Sequence, residues 1–287
     1  MDDHKADTLA AIARRFGARA DSGAEIDGPS TWPQAWVDLA GRGSCRAFTP
    51  QKVAPELIEL LCALALSSPS KSDLQQRDIV IIEDAQIRGA IDHLLTTGRL
   101  AQAWIPGAPA LLIFCGNNRR QRQLHAWRGK PFANDHLDAF FNAAVDAGIA
   151  LSAFVIAAEA VGLGCAPISA IRNHAREISD LIGLPDHVFP VAGLGLGWPS
   201  RTARISMRLP LAATVHRNRF DETSIQDAVE AYDRRRDSAQ PIKQQRGVES
   251  FGSAEFYGWS EDKVRQYAAP ERADWGAFVR AKGFRLD

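Results

Sequence analysis

The chain has 287 residues, 46% of them hydrophobic and 24% charged, with 34 Lys+Arg against 34 Asp+Glu. That length suffices for a real core, and a formal net charge of zero argues against a general nucleic-acid binder, which shows a basic excess. The four cysteines, Cys45, Cys62, Cys115 and Cys165, form no C-x-x-C pair and stand at no metal-ligand spacing with a histidine, so reduced thiols in the cytoplasm and no metal site are expected.

The mixed-charge N-terminus lacks the apolar core of a signal peptide. Residues 8–16 read as a short helix, followed to about residue 40 by a loop rich in Gly, Ser and Pro. From Ala54, the apolar Leu57, Ile58, Leu61, Leu64 and Ala65 recur at helical spacing. Residues 79–82 fit a strand. Asp84 is placed to cap a helix through Ile87, Ile91 and Leu94. Residues 110–115 read as a buried strand, and the polar stretch 118–134 as a loop or lid. Asp135 opens a long helix reaching Gly162-Leu-Gly164. Its apolar residues cover most faces, which predicts burial almost all round. Asp138, Asn142, Asp146 and Glu159 within it would be costly in lipid, so no membrane span is expected. Residues 167–170 read as strand or loop, 173–182 as helix and 188–196 as strand. Residues 213–215 look strand-like, 224–236 helical and 237–255 flexible. A last helix lies near 270–282. Interleaved helices and strands predict α/β or α+β.

Gly193-x-Gly195-x-Gly197 does not open a helix, as a dinucleotide-binding turn must; Trp198-Pro199 follows it. Small residues in a tightly packed strand are the better reading. Four other segments offer more specific chemistry. Arg42-Gly43-Ser44-Cys45-Arg46-Ala47-Phe48 places two guanidinium groups and a hydroxyl within five residues. That suits a phosphate monoester, although alone it reads equally as a solvated basic turn. Ser67-Ser68-Pro69-Ser70-Lys71-Ser72-Asp73-Leu74-Gln75-Gln76 is a polar turn between helix and strand, able to serve a flat heterocycle or to be an ordinary helix end. Pro167-Ile168-Ser169-Ala170-Ile171-Arg172-Asn173 has small residues that admit a ligand close to backbone. Ser206-Met207-Arg208-Leu209-Pro210 is the fourth.

In this order the four segments resemble the nitroreductase family, with its R-x-S-x-R-x-F and A-P-S-S-x-N-x-Q patterns. Leu184-Pro-Asp-His-Val-Phe-Pro190, Gly193-Leu-Gly-Leu-Gly-Trp-Pro199 and Arg208-Leu-Pro210 are similar to phrases of its oxygen-insensitive NADPH nitroreductase and NADPH–flavin reductase branch. The resemblance spans roughly residues 30–236. It implies an α+β three-layer fold with a central, mainly antiparallel sheet flanked by helices, in an intertwined homodimer. It also implies three consecutive parts: an N-terminal extension (1–30), an FMN-binding domain (31–220) and a C-terminal helical excursion (221–287).

By the same resemblance, Arg42, Ser44 and Arg46, in a turn with Gly43 and Cys45, hold the FMN phosphate and ribityl chain, joined by Arg208 and the Ser206 segment. Ser70, Asp73, Gln75 and Gln102 lie near the flavin ring. Pro167, Ile168, Ser169 and Ala170 lie against it, a backbone N–H near Ser169 or Ala170 facing N5, and Arg172 assists a flavin carbonyl or phosphate. No dedicated acid–base side chain is implied. NADPH, or NADH, passes a hydride to N5 and leaves, and a small nitroaromatic, quinone or flavin acceptor follows in ping-pong order. Arg234, Arg235 and Arg236, with Lys243 and Arg246 beyond, are candidates for the NADPH 2′-phosphate; a solvated helix end explains them as well. The departures are Lys71 and Asp73 in the ring-facing loop, Ser169 and Ala170 for two glycines, Arg42 for His, Gly43 for Arg and Ser206 for Lys. They leave open an FMN-binding protein of regulatory or storage role with little turnover.

Overall fold

The computed structural model describes residues 4–17, 31–98 and 101–287. The chain forms two compact units. One combines the described residues up to Gly43 with Arg204–Glu271; the other combines Ser44–Ala203 with Arg272–Asp287. Each unit is therefore assembled from two separated stretches.

The first unit opens with α1 (Lys5–Phe16) and α2 (Gln34–Gly41), which lie against each other. Helix α2 stands where a loop is predicted; residues 18–30 of that loop lie outside the described residues. The second unit carries α3 (Pro55–Leu66), β1 (Arg77–Ile81), α4 (Ala85–Thr96), β2 (Ala110–Asn117), α5 (Arg119–Trp127), α6 (Leu137–Ala160), β3 (Gly164–Ile168), α7 (Ala175–Leu181) and β4 (Val188–Gly197). The first unit resumes with α8 (Ile225–Ala239), α9 (Val248–Phe251) and α10 (Trp259–Tyr267), and α11 (Trp275–Ala281) closes the second.

The sheet order is β1-β2-β4-β3, and every pairing is antiparallel. Alternation along β2 builds three layers, because successive side chains point to opposite faces. Ala110, Leu112 and Phe114 pack with α3 and α6 on one face. Leu111, Ile113 and Cys115 pack with α4 and α7 on the other. This is the predicted α+β architecture. The Asp84 carboxylate caps α4, accepting from the N–H groups of Gln86 (2.8 Å) and Ile87 (2.9 Å).

The glycines of β4 are packing residues. A Cβ on Gly193 would stand 2.8 Å from Ile171, on Gly195 2.8 Å from Trp104 and on Gly197 2.5 Å from Pro109. Gly195→Val should therefore overpack this face and lower stability by about 1–3 kcal/mol, read by urea unfolding. A variant as stable as the parent would contradict this packing.

Several local expectations change. Residues 118–134 contain α5, whose Gln121 amide donates to the Leu74 carbonyl (2.8 Å). Residues 213–215 form no strand; a 3₁₀ turn covers Leu211–Ala213. Residues 237–255 are structured by reciprocal bonds between Gln245 and the Ala254 backbone (2.8 and 2.9 Å) and by Arg265, which donates to the Arg246 and Gly252 carbonyls. Helix α6 is long and apolar enough to cross a membrane by length and composition. It nonetheless packs one face on α3 and the sheet. Its opposite face is exposed, with Phe141 at 60%, which corrects the expectation of burial all round.

Candidate functional site

Of the residues of the predicted cationic turn, Arg42 and Gly43 belong to the first unit, and Ser44 and Arg46 to the second. In the second unit, Cys45 anchors it. Its N–H donates to the Cys165 carbonyl (2.9 Å) on the edge strand β3, and its thiol donates to the Ala47 carbonyl (3.2 Å). A Cβ on Gly164 would stand 2.7 Å from the Cys45 sulfur, so glycine is required for this approach. Cys45 is thus a buried structural residue, and its neighbour Arg46 is exposed. Past Arg46 the chain is stitched to the end of β4: Phe48 bridges Pro199, Thr49 N–H donates to Trp198 (2.8 Å) and Ser200 N–H to Ala47 (3.0 Å). The Arg46 guanidinium lies 5.9 Å from the Trp104 ring centre. The Trp104 indole N–H donates to Gln102 Oε1 (3.2 Å), so one aromatic ring joins two predicted site residues.

The predicted ring-facing loop is strained. Ser72, Asp73 and Gln75 have φ of 50°, 55° and 52°, a region costly for side chains bearing Cβ and commonest where function demands it. The loop is held from beneath. Asp146 of α6, fully buried, accepts from the N–H groups of Lys71 (2.9 Å) and Gln76 (3.1 Å) and lies 3.8 Å from Arg77. Arg77 donates to the carbonyls of Leu66 (2.8 Å), Ser68 (2.6 Å) and Pro69 (3.4 Å). Arg120 of α5 reaches the Gln75 carbonyl and Asp78, both at 2.5 Å. Within the loop, Ser70 Oγ accepts from Gln75 N–H (3.3 Å), and the Gln75 amide donates to Asp73 (3.2 Å). Arg77, Arg120 and Asp146 hold this loop in place, and the motifs did not single them out. The one signal in the sequence was Asp146, one of the few acids on an apolar helix.

On β3, Pro167 is exposed, as an edge strand permits. Ser169, opening the 3₁₀ turn Ser169–His174, is exposed too. Ile168 points its side chain into the core, leaving only its backbone to a ligand. Arg172 donates to the Val191 carbonyl and lies 5.9 Å from the Trp275 ring. A backbone acceptor and an aromatic face thus orient the guanidinium within the unit.

In the first unit, the Arg208 guanidinium reaches, among the described residues, only its own backbone neighbours, Ser206 O (3.4 Å) and Met207 O (3.2 Å). A cleft of about 510 Å³ is lined by Arg15, Met207, Arg208, Tyr232, Arg236 and Trp259, among others. Of the three consecutive arginines, Arg234 pairs with Glu230 on the surface (3.3 Å). Arg235 donates to the Arg208 carbonyl (2.8 Å). Only Arg236 lines the cleft; it donates to the Tyr232 hydroxyl (2.8 Å), and its buried Nε has no partner. Arg246 is paired with Asp262 (2.9 Å).

Each unit carries an arginine of the kind that suits a phosphate monoester. Arg46 and Arg208 have no carboxylate partner among the described residues, and such guanidinium forks favour a dianionic ligand. The thiols have no part in this. Burial, then Asp78, pushes the Cys115 thiol up to about 12, and burial, then Glu59, pushes Cys62 up to about 11. No cluster of His, Cys, Asp or Glu fit for a metal occurs among the described residues.

An antiparallel α+β sheet bearing a cationic turn, a strained polar loop and an edge strand of small residues defines a class of protein that holds a phosphorylated, planar ligand. The family model described as "Nitroreductase family" matches residues 39–198, and that described as "Nitroreductase family, C-terminal domain" matches 206–287. An FMN reductase [NAD(P)H] of Bacillus subtilis is 32% identical over 68% of this chain and 78% of its own length. An oxygen-insensitive NADPH nitroreductase of Salmonella typhimurium is 34% identical over 63% of this chain and 72% of its own. The solved structure of B. megaterium NfrA2 superposes with a TM-score of 0.79 at 29% identity, covering 89% of this chain and all of that one. The chain belongs to the nitroreductase family.

Proposed function

We propose that the chain is an FMN-dependent NAD(P)H oxidoreductase acting on a nitroaromatic, quinone or flavin acceptor. The observation that carries this is Arg46, exposed and fixed to the edge strand by buried Cys45, with no carboxylate to satisfy it among the described residues. The names of the two relatives support the same chemistry. On this reading Arg42, Ser44, Arg46 and Arg208 hold the phosphate and ribityl chain. Ser70, Asp73, Gln75 and Gln102 present polar groups to the ring. Pro167, Ile168, Ser169 and Ala170 offer backbone and small side chains against it. Cationic groups stabilise negative charge that develops on reduction. FMN, when bound, supplies the hydride-accepting ring, and its alternation between two redox states gives ping-pong kinetics. Arg236, which lines the cleft beside Tyr232 and Trp259, is the proposed contact for the NADPH 2′-phosphate.

The test is the absorption spectrum of the purified protein. A yellow protein whose flavin band bleaches when NADPH is added anaerobically, and returns with an acceptor, is expected. A colourless protein that FMN cannot reconstitute would overturn the reading. Retained flavin without NADPH oxidation would favour a regulatory or storage role.

We also propose a homodimer built on α6. Its exposed face carries Leu137, Phe141, Val145, Gly148, Ser152 and Ile156 at helical spacing, and α3 beside it exposes Leu60 and Leu64. Contiguous apolar surface of this kind marks an interface, and the small Gly148 and Ser152 let two helices approach closely. Phe141→Glu should weaken the dimer by about 2 kcal/mol, or about 30-fold, measured by sedimentation equilibrium. An unchanged dissociation constant would place the interface elsewhere.

A further inference from the structure

We propose that Arg15, on the N-terminal helix α1, is a positioning residue for the cofactor phosphate, stapling together the two segments of the first unit that carry Arg42 and Arg208. The inference rests on the reading that these two arginines hold phosphate. Arg15 is only 8% exposed. Its Nε donates to the Ala40 carbonyl (3.0 Å), one Nη to the Ser206 carbonyl (3.2 Å) and the other Nη to the Arg42 carbonyl. Its own carbonyl accepts the Arg208 N–H at 2.7 Å. One residue thus grips the backbone on both sides of the proposed cradle, although Ser206 lies 191 positions away in sequence.

The need for a staple follows from the local structure. Residues 204–210 form no helix or strand, so no ladder of hydrogen bonds fixes the direction of Arg208. Their carbonyls are held from outside: Ser206 by Arg15, Met207 by the Tyr232 hydroxyl (3.0 Å) and Arg208 by Arg235 (2.8 Å). Ser206 brings no charge and Arg204 is engaged with the Ala239 carbonyl (2.7 Å), so the aim of Arg208 matters more. Only a planar fork with five donors spans three carbonyls; a lysine ammonium offers three donors from one point. Arg15 also lies before residue 39, where the family match begins.

The test compares affinities of the full-length apoprotein for FMN and for riboflavin, which lacks the phosphate, by quenching of flavin fluorescence. The variants are Arg15→Ala, Arg15→Lys, Arg208→Ala and, as a control, the exposed Arg14→Ala; the melting temperature of each is recorded. Arg15→Ala should raise the FMN dissociation constant at least about tenfold, the effect of one lost charge-assisted bond, and move that for riboflavin less than about twofold. Arg15→Lys should recover part of the loss, and Arg14→Ala should match the parent. Equal weakening of both flavins would make Arg15 merely structural and overturn the proposal. So would an unchanged ratio in Arg15→Ala beside a reduced one in Arg208→Ala. An unchanged ratio in Arg208→Ala refutes the cradle itself, and the staple with it. If Arg15→Ala fails to fold, Arg15→Lys, which keeps the charge, decides by the same ratio.

Discussion

Replacing Asp146 by alanine is expected to cost about 3–5 kcal/mol of stability, the range for breaking a buried ion pair from one side. The carboxylate is fully buried and serves three partners: the N–H groups of Lys71 and Gln76, and Arg77 at 3.8 Å. Its removal strands two amide donors and leaves Arg77, whose Nε already lacks a partner, as an uncompensated buried cation. The Ser70–Gln75 loop above it holds three non-glycine residues at positive φ, so strain stored there is released once its anchors go. Flavin retention should fall together with stability, because the loop proposed to present polar groups to the ring loses its floor. Asp138 provides the comparison. It sits on the same helix but is exposed, and its loss should cost no more than about 1 kcal/mol. Urea unfolding of the two alanine variants measures both numbers. A difference below about 1 kcal/mol between them would mean that Arg77 and α5 hold the loop without Asp146.

How much of this was legible in the sequence depends on where each contact came from. Period-two and period-3.6 patterns record local burial, so β2, β4, α3 and α4 were readable within a few residues, as was the Asp84 cap. Helix α5 was not, because it has little apolar periodicity; it is fastened by distant partners such as the Leu74 carbonyl and Asp135. The apolar character of α6 was visible, but its division into a core face and an exposed face was not. An apolar stripe looks the same whether a sheet or another subunit covers it. In the candidate site, motif order pointed to the 42–46 turn, the 70–75 loop and the 167–170 edge. It gave no hint that Cys45 is an anchor, that Arg172 is held by Val191 and Trp275, or that Arg15 meets the Ser206 segment. Those depend on residues far apart in the chain, with no spacing rule to reveal them.

The three neighbouring arginines of α8 give the second large effect when set against Arg46. Arg46→Ala should raise the FMN dissociation constant about 100-fold, since a guanidinium on a phosphate makes one or two charge-assisted bonds of about 1.5–3 kcal/mol each. The fold should barely notice, because Arg46 is exposed and its one described partner is the Trp104 ring. Arg235 was a candidate for the NADPH phosphate, but its guanidinium is engaged with the Arg208 carbonyl and lies 5.5 Å from the Tyr232 ring. Its loss should therefore act on flavin, through the aim of Arg208, and raise the FMN constant by about fivefold, one neutral-acceptor bond. Arg236 lines the cleft with a buried, unpartnered Nε. Arg236→Ala should leave flavin content unchanged and raise the NADPH KM about tenfold, with the NADH KM little altered, because a 2′-phosphate is what distinguishes the two. Flavin titration and steady-state kinetics on the three variants separate these roles. If Arg236→Ala raised the KM for both nucleotides equally, the cleft would bind what they share, and the phosphate would have to be sought on other cations.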